Sequence, residues 1–284
     1  MSRNNQNRLG GNTPTPSEPP TQATEKAFDP LSFVAPTEFV ELPSKGAYPA
    51  GHALHNKEVL EIRFMTAKEE DILSSQALLK KGLAIERMLD SLIVDKNVKA
   101  NDLLTGDRNA LVIAARISGY GANYRTQVSC PACGERDNVN FDLNKAKIED
   151  SKENETLGLV KLTNGNFSTK TPYSKFEIEF KLLTGKDENF LAKLIMDKRK
   201  RKMRETALTD QFKIMIVSIE GHSDKSIIDR YVDNMPTMDS RHIKACYKIA
   251  SPDVKITEDF TCGSCSYQQE LEVPFNTDFF WPDR

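Results

Sequence analysis

The side chains best suited to chemistry in this sequence are two cysteine pairs, each with two residues between its members. Cys130 and Cys133 form the first pair, and Cys262 and Cys265 form the second. Two thiolates three positions apart on a tight turn supply two of the four ligands that Zn²⁺ takes in a tetrahedral site. Four protein thiolates leave no open position for a catalytic water. The two pairs therefore predict one structural Zn²⁺ site.

The residues around the cysteine pairs indicate whether the thiols could serve a role other than zinc binding. A redox Cys-x-x-Cys pair lies at a helix N-terminus, where the helix dipole lowers the thiol pKa, whereas strand patterns flank both pairs here. Gly134 and Gly263 supply the backbone freedom that zinc-knuckle turns need. Unmetallated or disulfide-bonded cysteines remain an alternative, although five cysteines without a readable secretory signal favour a reducing compartment. The fifth, Cys246, is predicted to be a small buried hydrophobe.

An internal repeat explains how cysteine pairs so distant in sequence can meet. Residues 61–73 lie over residues 179–191 with matching size and polarity. Each copy starts as an alternating strand and continues into Thr-x-x-Glu from Thr66 or Thr-x-x-Asp from Thr184, which is typical of a helix N-terminus. A later helix, starting near Thr105 or Thr237, precedes each cysteine hairpin. Two equivalent hairpins around a pseudo-twofold axis would bring the four thiolates together.

The predicted fold class is α+β, with internally duplicated halves of strand, helices and β-hairpin joined by the four-cysteine zinc-knuckle pair. The N-terminus is rich in Asn, Gly, Thr and Pro and is predicted to be a disordered tail. Further helices are expected at 79–94, 211–219 and 227–232. The expected organisation is a tail at 1–36, a first half at 37–147, a connector at 148–171 and a second half at 172–284.

Composition and motif searches exclude several function classes. The formal net charge is only -2, and the longest apolar run, 110–115, is far too short to cross a bilayer. The phosphate loop, nucleophile elbow and zincin patterns are absent from the sequence, so catalysis is not expected. The histidines lie scattered, without carboxylates spaced for a metal site or a triad.

Two surface features remain open. The basic run 198–204 would surround a helix and is therefore predicted to be a solvated helix end or loop, used for a protein contact rather than for nucleic acid. Residues 190–195 before it form a predicted inward apolar stripe. The aromatics at 279–281 either pack back on the last hairpin or form an exposed anchor for a partner.

A family resemblance rests on four segments read together, at 41–49 (Glu41-Leu-Pro-Ser-Lys-Gly-Ala-Tyr-Pro49), 65–73, 103–110 and 130–134. In combination they resemble the T4-type bacteriophage baseplate hub and hub-assembly proteins of contractile-tailed phages, over about residues 38–280. The resemblance implies a non-enzymatic structural or assembly protein of the tail baseplate hub. It also implies other phage baseplate hub and tail proteins as partners, and no small-molecule substrate. The expected locations are the host bacterial cytoplasm during assembly and the virion tail baseplate.

A second hypothesis uses the same cysteines differently. A zinc-ribbon regulator would bind nucleic acid through the basic run near Arg199, with cations gaining from counterion release. Balanced overall charge disfavours this function.

Overall fold

A computed structural model describes residues 35–273 and 277–280 of the chain. The predicted tail lies outside these residues, except for Ala35 and Pro36. The strands are β1 Thr37–Glu41, β2 Val59–Arg63, β3 Asn123–Ser129, β4 Arg136–Asp142, β5 Lys147–Glu149, β6 Val160–Lys161, β7 Phe167–Lys170, β8 Glu177–Phe180, β9 Ile216–Ile219, β10 Asp253–Lys255, β11 Thr257–Thr261 and β12 Gln268–Glu272. The helices are α1 Ala67–Ser74, α2 Gln76–Lys81, α3 Ala84–Leu92, α4 Thr105–Tyr120, α5 Gly185–Lys200, α6 Ala207–Met215, α7 Lys225–Asp233 and α8 Thr237–Ala250.

Strands pair antiparallel in small sheets. β1 pairs with β2, β3 with β4, β11 with β12 and β5 with β10, while β6, β7, β8 and β9 form a four-stranded sheet in that order. Helices pack between these sheets around one apolar core. The predicted mixture of helices and strands is confirmed. Within the described residues, no helix is long and apolar enough to cross a membrane.

Two helices start at the predicted capping boxes. The Thr66 amide donates to Glu69 Oε2 at 3.0 Å, and α1 follows. The Thr184 amide donates to Asp187 Oδ2 at 3.1 Å, while the Asp187 amide donates back to Thr184 Oγ1, and α5 follows. These bonds satisfy amides that the first helical turn leaves without intrahelical partners.

Two predicted helices differ from the observed elements. The stretch 79–94 contains the end of α2 and the whole of α3, because Gly82 ends α2 in a left-handed conformation with φ 68°. The stretch 211–219 is helical only as far as Met215. Ile216–Ile219 instead forms β9 and fills the open edge of β8, so sheet pairing overrides the local helical pattern there. The predicted helix 227–232 lies within α7.

The stretch 148–171 carries backbone pairing of its own. Most of β5, and all of β6 and β7, lie within it. Ile148 in β5 pairs with Val254 in β10, which leads into the second cysteine hairpin. β7 lies between β6 and β8 in the four-stranded sheet and pairs with both. This stretch therefore adds strands to two sheets.

Two buried aspartates in the first turns of α4 and α8 hold neighbouring backbone turns. Asp107 accepts hydrogen bonds from the Ser44 amide at 2.8 Å, the Ser44 hydroxyl at 2.6 Å and the Tyr48 hydroxyl at 2.6 Å. Asp239 accepts from the amides of Tyr173 at 2.8 Å and Ser174 at 3.0 Å. We call these two arrangements the aspartate clamps. Each ties a helix start to the turn between two paired strands.

The two clamps differ in electrostatics. Burial raises the pKa of Asp107, despite opposing hydrogen bonds from Ser44 and Tyr48. Desolvation also acts to raise the pKa of Asp239, but the backbone amide of Tyr173 and the bonds from Ser174 outweigh it and lower that pKa. The Asp239 carboxylate is therefore held in its charged form by backbone donors.

The start of α4 and the start of α5 meet through their backbones. The Thr105 amide donates to the Leu183 carbonyl at 3.2 Å, and the Gly185 amide donates to the Leu103 carbonyl at 2.9 Å. Gly106 lies directly against the Pro252 carbonyl, just after α8. The amino-terminal and carboxy-terminal parts of the described chain are thus joined at close backbone contacts.

The aromatic residues near the C-terminus pack inward where the structure describes them. Phe279 and Phe280 are buried, and the Phe279 ring meets the Tyr124 ring edge-on with centroids 5.0 Å apart. Buried Arg116 donates from Nε to the Phe279 carbonyl at 2.9 Å. Trp281, the third aromatic of the predicted group, lies outside the described residues. The segment is anchored on α4 and β3.

The glycine contacts in α4 yield a test of the backbone junction. A methyl group at Gly106 would collide with the rigid carbonyl of Pro252, so Gly106→Ala should lower the free energy of unfolding by about 1–3 kcal/mol. Chemical denaturation followed by circular dichroism measures this change.

Gly119→Ala is the matched control in the same helix. Its new methyl group would meet Met65 Sδ, at the flexible part of a side chain that can move aside. Because alanine favours helices by about 1 kcal/mol over glycine, stability should change little or rise. Equal losses in both variants would contradict the proposed collision.

Candidate metal centre

Each cysteine pair lies in the turn of a β-hairpin. Cys130 follows β3, and its amide donates to the Glu135 carbonyl at 2.7 Å. Cys262 follows β11, and its amide donates to the Tyr267 carbonyl at 2.9 Å. The two turns therefore close with the same hydrogen bond, and each presents its thiols at the hairpin tip.

Both turns also use a left-handed residue four positions after the first cysteine. Gly134 has φ 77° and Ser266 has φ 57°, and their amides donate to the Cys130 and Cys262 carbonyls, respectively. The prediction that Gly263 supplies this freedom is wrong for the second turn, since Ser266 is the left-handed residue there. The Gly263 amide instead donates to Asp137 Oδ2 of the first hairpin at 3.0 Å.

The four sulfurs converge in one cluster. Cys130 Sγ lies 3.7 Å from Cys265 Sγ, and Cys133 Sγ lies 3.6 Å from Cys262 Sγ. All four sulfurs lie within 4.8 Å of one another. A tetrahedral Zn²⁺ with Zn–S bonds of about 2.3 Å holds its sulfurs about 3.8 Å apart. The spacing therefore suits a single ion, and it is too long for a disulfide bond of about 2.05 Å.

The surroundings shift the pKa values of the cluster thiols in opposite directions. Desolvation raises the pKa of Cys130, but the amides of Cys133 and Ala132 outweigh it and lower that pKa to about 7. The Glu135 amide lowers the pKa of Cys133, while hydrogen bonding among the neighbouring thiols raises it to about 12. Full ionisation of all four thiols at neutral pH therefore needs a cation among them.

Two polar contacts also link the hairpins, one at the cysteine turns and one near the strand ends remote from them. Asp137 on β4 accepts from the Gly263 amide, and Lys145 Nζ lies 2.9 Å from Glu258 Oε1 on β11. The lysine and glutamate are partly exposed, so this ion pair contributes little stability of its own. The two contacts therefore hold one hairpin on the other only weakly.

Comparison with family models matches residues 36–281 to the family described as T4 bacteriophage base plate protein. The match covers most of the chain. The chain belongs to this family. Neither the comparison with curated proteins nor that with solved structures finds a match. The chain is accordingly a phage baseplate structural protein that carries four cysteines close enough to hold a metal ion.

The remaining cysteine and histidines of this baseplate protein lie in other surroundings. Cys246 is fully buried, 3.5 Å from both Thr169 Oγ1 and His242 Nε2. The His52 ring stacks on Tyr48 at 4.4 Å, and His55 Nδ1 lies 2.6 Å from the Tyr48 carbonyl oxygen. Among the described residues, the four paired cysteines are the only His, Cys, Asp and Glu group placed to hold a metal.

The basic run of the baseplate protein lies at the end of α5 and in the loop that follows. Lys198 Nζ lies 2.6 Å from Asp210 Oδ2, and Arg199 Nε lies 2.7 Å from Glu205 Oε1. Phe190, from the predicted inward stripe, is 58% exposed, while Leu191, Leu194 and Ile195 are half-buried. The apolar face by which α5 packs against the rest of the protein is therefore narrower than the sequence indicates.

The left-handed positions of the two hairpins give opposite predictions. Gly134→Ala places a methyl group in open space at φ 77°, so only backbone strain changes and the free energy of unfolding should fall by about 1–2 kcal/mol. Ser266→Gly relieves such strain at φ 57° and should leave stability unchanged or raise it by up to about 1 kcal/mol. Thermal denaturation of both variants measures the signs, and destabilisation by Ser266→Gly would contradict the equivalence of the turns.

Proposed function

We propose that this chain is a non-enzymatic structural or assembly protein of the phage tail baseplate hub, and that one structural Zn²⁺ links its two cysteine hairpins. The family match over residues 36–281 carries the baseplate role. The four-sulfur cluster supports the metal, because its sulfur spacing suits one tetrahedral ion. The hub position within the baseplate comes from the sequence resemblance.

The donor set favours zinc. Four thiolates are soft ligands, which suit Zn²⁺, Cu⁺ and iron–sulfur clusters rather than Mg²⁺ or Ca²⁺. A single tetrahedral site of four sulfurs at these spacings suits Zn²⁺ best, and it leaves no position for a substrate. Residues Cys130, Cys133, Cys262 and Cys265 would hold the ion. Structural zinc in small domains has an apparent binding free energy of about 10–16 kcal/mol, enough to hold two hairpins together.

A duplicated origin of the two halves is part of the proposal, with a first half at 37–147, a connector at 148–171 and a second half at 172–284. Each half has a paired strand leading into a capped helix, α1 or α5. Each then has a helix with an aspartate clamp, α4 or α8, followed by a cysteine hairpin. The same order of strand, capped helix, clamped helix and cysteine hairpin in both halves supports a common origin.

The proposed location follows from the proposed role. Hub proteins would be made and assembled in the host bacterial cytoplasm, and a retained component would remain in the tail baseplate of the virion. Its partners would be other baseplate hub and tail proteins. A nucleic-acid regulator is less well supported, because acidic side chains already neutralise Lys198 and Arg199 at the basic run.

The metal proposal has a direct test in stoichiometry. Elemental analysis of the purified full chain should give about one zinc per chain, and both Cys130→Ser and Cys262→Ser should lose it, since each hairpin supplies two of the four ligands. The matched control is Cys246→Ser, which alters a buried thiol outside the cluster and should retain zinc. Two metals per chain, or full zinc in either hairpin variant, would refute a single shared ion.

The assembly role is tested in the phage itself. Deletion of the gene should remove complete baseplates from infected-cell lysates viewed by electron microscopy, and the wild-type gene in trans should restore them. Cys130→Ser should restore them poorly, because the hairpins lose their link. Normal baseplates in the deletion phage would refute the assembly role whatever the metal content.

A further inference from the structure

An exposed apolar patch lies where β7, β8, α7 and α8 meet. It consists of Tyr173, Phe176, Ile227 and Met238, whose exposed fractions are 68%, 40%, 43% and 62%. We call it the Tyr173 patch. Single exposed apolar residues are ordinary, whereas a group of them on adjoining elements marks an interaction surface.

Specific contacts bring together the elements that carry the patch. Asp239 holds the Tyr173 amide, which places Tyr173 beside Met238, the neighbour of Asp239 in α8. The Phe176 ring meets the Tyr231 ring edge-on at 5.7 Å. Ile227 lies one helical turn before Tyr231 on the same face of α7. The patch therefore runs from α8 across the turn between β7 and β8 to α7.

The turn that carries the patch is fixed before any partner binds. Asp239 accepts two backbone amides, and the Ser174 hydroxyl lies 3.1 Å from the Tyr231 hydroxyl. Lys175 completes the turn at φ 62°. A surface held in one conformation loses little entropy on binding, which favours affinity.

The corresponding region beside the other aspartate clamp is covered by the chain itself. There the connection between β1 and β2 spans residues 42–58, and it buries Tyr48 and Leu54 near Asp107. The connection between β7 and β8 spans only residues 171–176. The shorter connection leaves Tyr173 and Phe176 exposed within the described part of the chain, so this clamp is not covered by its own connection.

The charges around the patch specify what could cover it. Lys175 precedes Phe176, while Arg230 and Arg241 each follow a patch residue, Ile227 or Met238, by three positions on the same helix face. All three cations are exposed, and none forms an ion pair within the described part of the chain.

Nearby acids are already engaged. Asp239 holds its turn, Asp229 lies 3.3 Å from Lys225 Nζ, and Glu177 accepts from Ser168. Asp239 is also buried, whereas Lys175, Arg230 and Arg241 are exposed, so the solvent-facing rim beside these three residues is cationic around an apolar centre. This arrangement complements an apolar segment flanked by carboxylates, and unlike a phosphate-binding surface it places aliphatic and aromatic groups at its centre.

We propose that the Tyr173 patch docks a segment of another baseplate protein in which apolar side chains are flanked by Asp or Glu. This inference rests on the proposed baseplate function and adds the surface and the chemistry of the partner. Apolar burial supplies the binding free energy, and the cationic rim selects an acidic partner.

The test combines charge reversal with a matched control. Met238→Glu with Arg241→Glu should lower incorporation of the chain into baseplate assemblies at least ten-fold in the complemented deletion phage. Met196→Glu with Lys193→Glu makes the same changes on exposed positions of α5, where Met196 is 52% exposed, and should incorporate normally. Unchanged zinc content and melting temperature establish that both double variants fold.

Photo-crosslinking identifies the partner. With p-benzoylphenylalanine in place of Tyr173, irradiated assemblies should yield a crosslinked peptide from another tail protein with carboxylates beside apolar residues. Crosslinks to a second copy of this chain or to nucleic acid would overturn the inference, as would equal loss in both double variants or no crosslink from an incorporated chain. Absence of the wild-type chain from all baseplate assemblies and their intermediates would also overturn the docking inference, whereas normal baseplates in the deletion phage would refute the proposed function itself.

Discussion

The rest of the structure depends on the convergence of four sulfurs from hairpins that are remote in sequence. Thiols 3.6–3.7 Å apart cannot all ionise in isolation, because each negative charge opposes the next. Hydrogen bonding among the neighbouring thiols raises the pKa of Cys133 to about 12, so this thiol keeps its proton at neutral pH when no cation is bound. A cation at the centre would turn the repulsion into attraction and would tie β3 and β4 to β11 and β12. In the proposed holo protein, the metal would thus close a loop in the fold that the modest polar contacts between the hairpins support only weakly.

α4 leads into the first cysteine hairpin and α8 leads, through β10, into the second, so these helices position the hairpins. The aspartate clamps fix the starts of both helices. Burying a carboxylate is costly unless hydrogen bonds replace its water. Asp107 meets that need with Ser44 and Tyr48, and Asp239 meets it with two backbone amides. Both lie in a first helical turn, where the helix dipole favours negative charge. Each clamp therefore determines where its helix starts, and the helix in turn places its hairpin.

The parts of the fold and of the cysteine cluster that depend on residues close together in sequence could be predicted. Thr66 and Thr184 indicate helix starts, because each can form hydrogen bonds with an acidic residue three positions later. The cysteine spacing indicates a zinc knuckle, because two cysteines with two residues between them fit a tight turn. The limits of β9 and the clamps were missed, because they depend on partners distant in sequence. In the sequence, Ile216 continues the apolar pattern of the helix before it. Only the pairing of β9 with the open edge of β8 explains why it is in a strand. The clamps did leave a signal, since Ser44-Lys45 and Ser174-Lys175 repeat a dipeptide whose lysines are both left-handed.

The two clamps also differ in how far the chain covers them. At Asp107 the long β1–β2 connection covers the helix start and adds Tyr48 and Leu54 to the core, so that region serves folding. At Asp239 the short connection forgoes this burial and leaves apolar side chains in water, which costs stability. Such a cost is recovered only when another surface covers the same side chains. Because the clamp holds the uncovered turn in place beforehand, a docking partner would recover the burial without ordering the turn, which is what a part joining a large assembly requires.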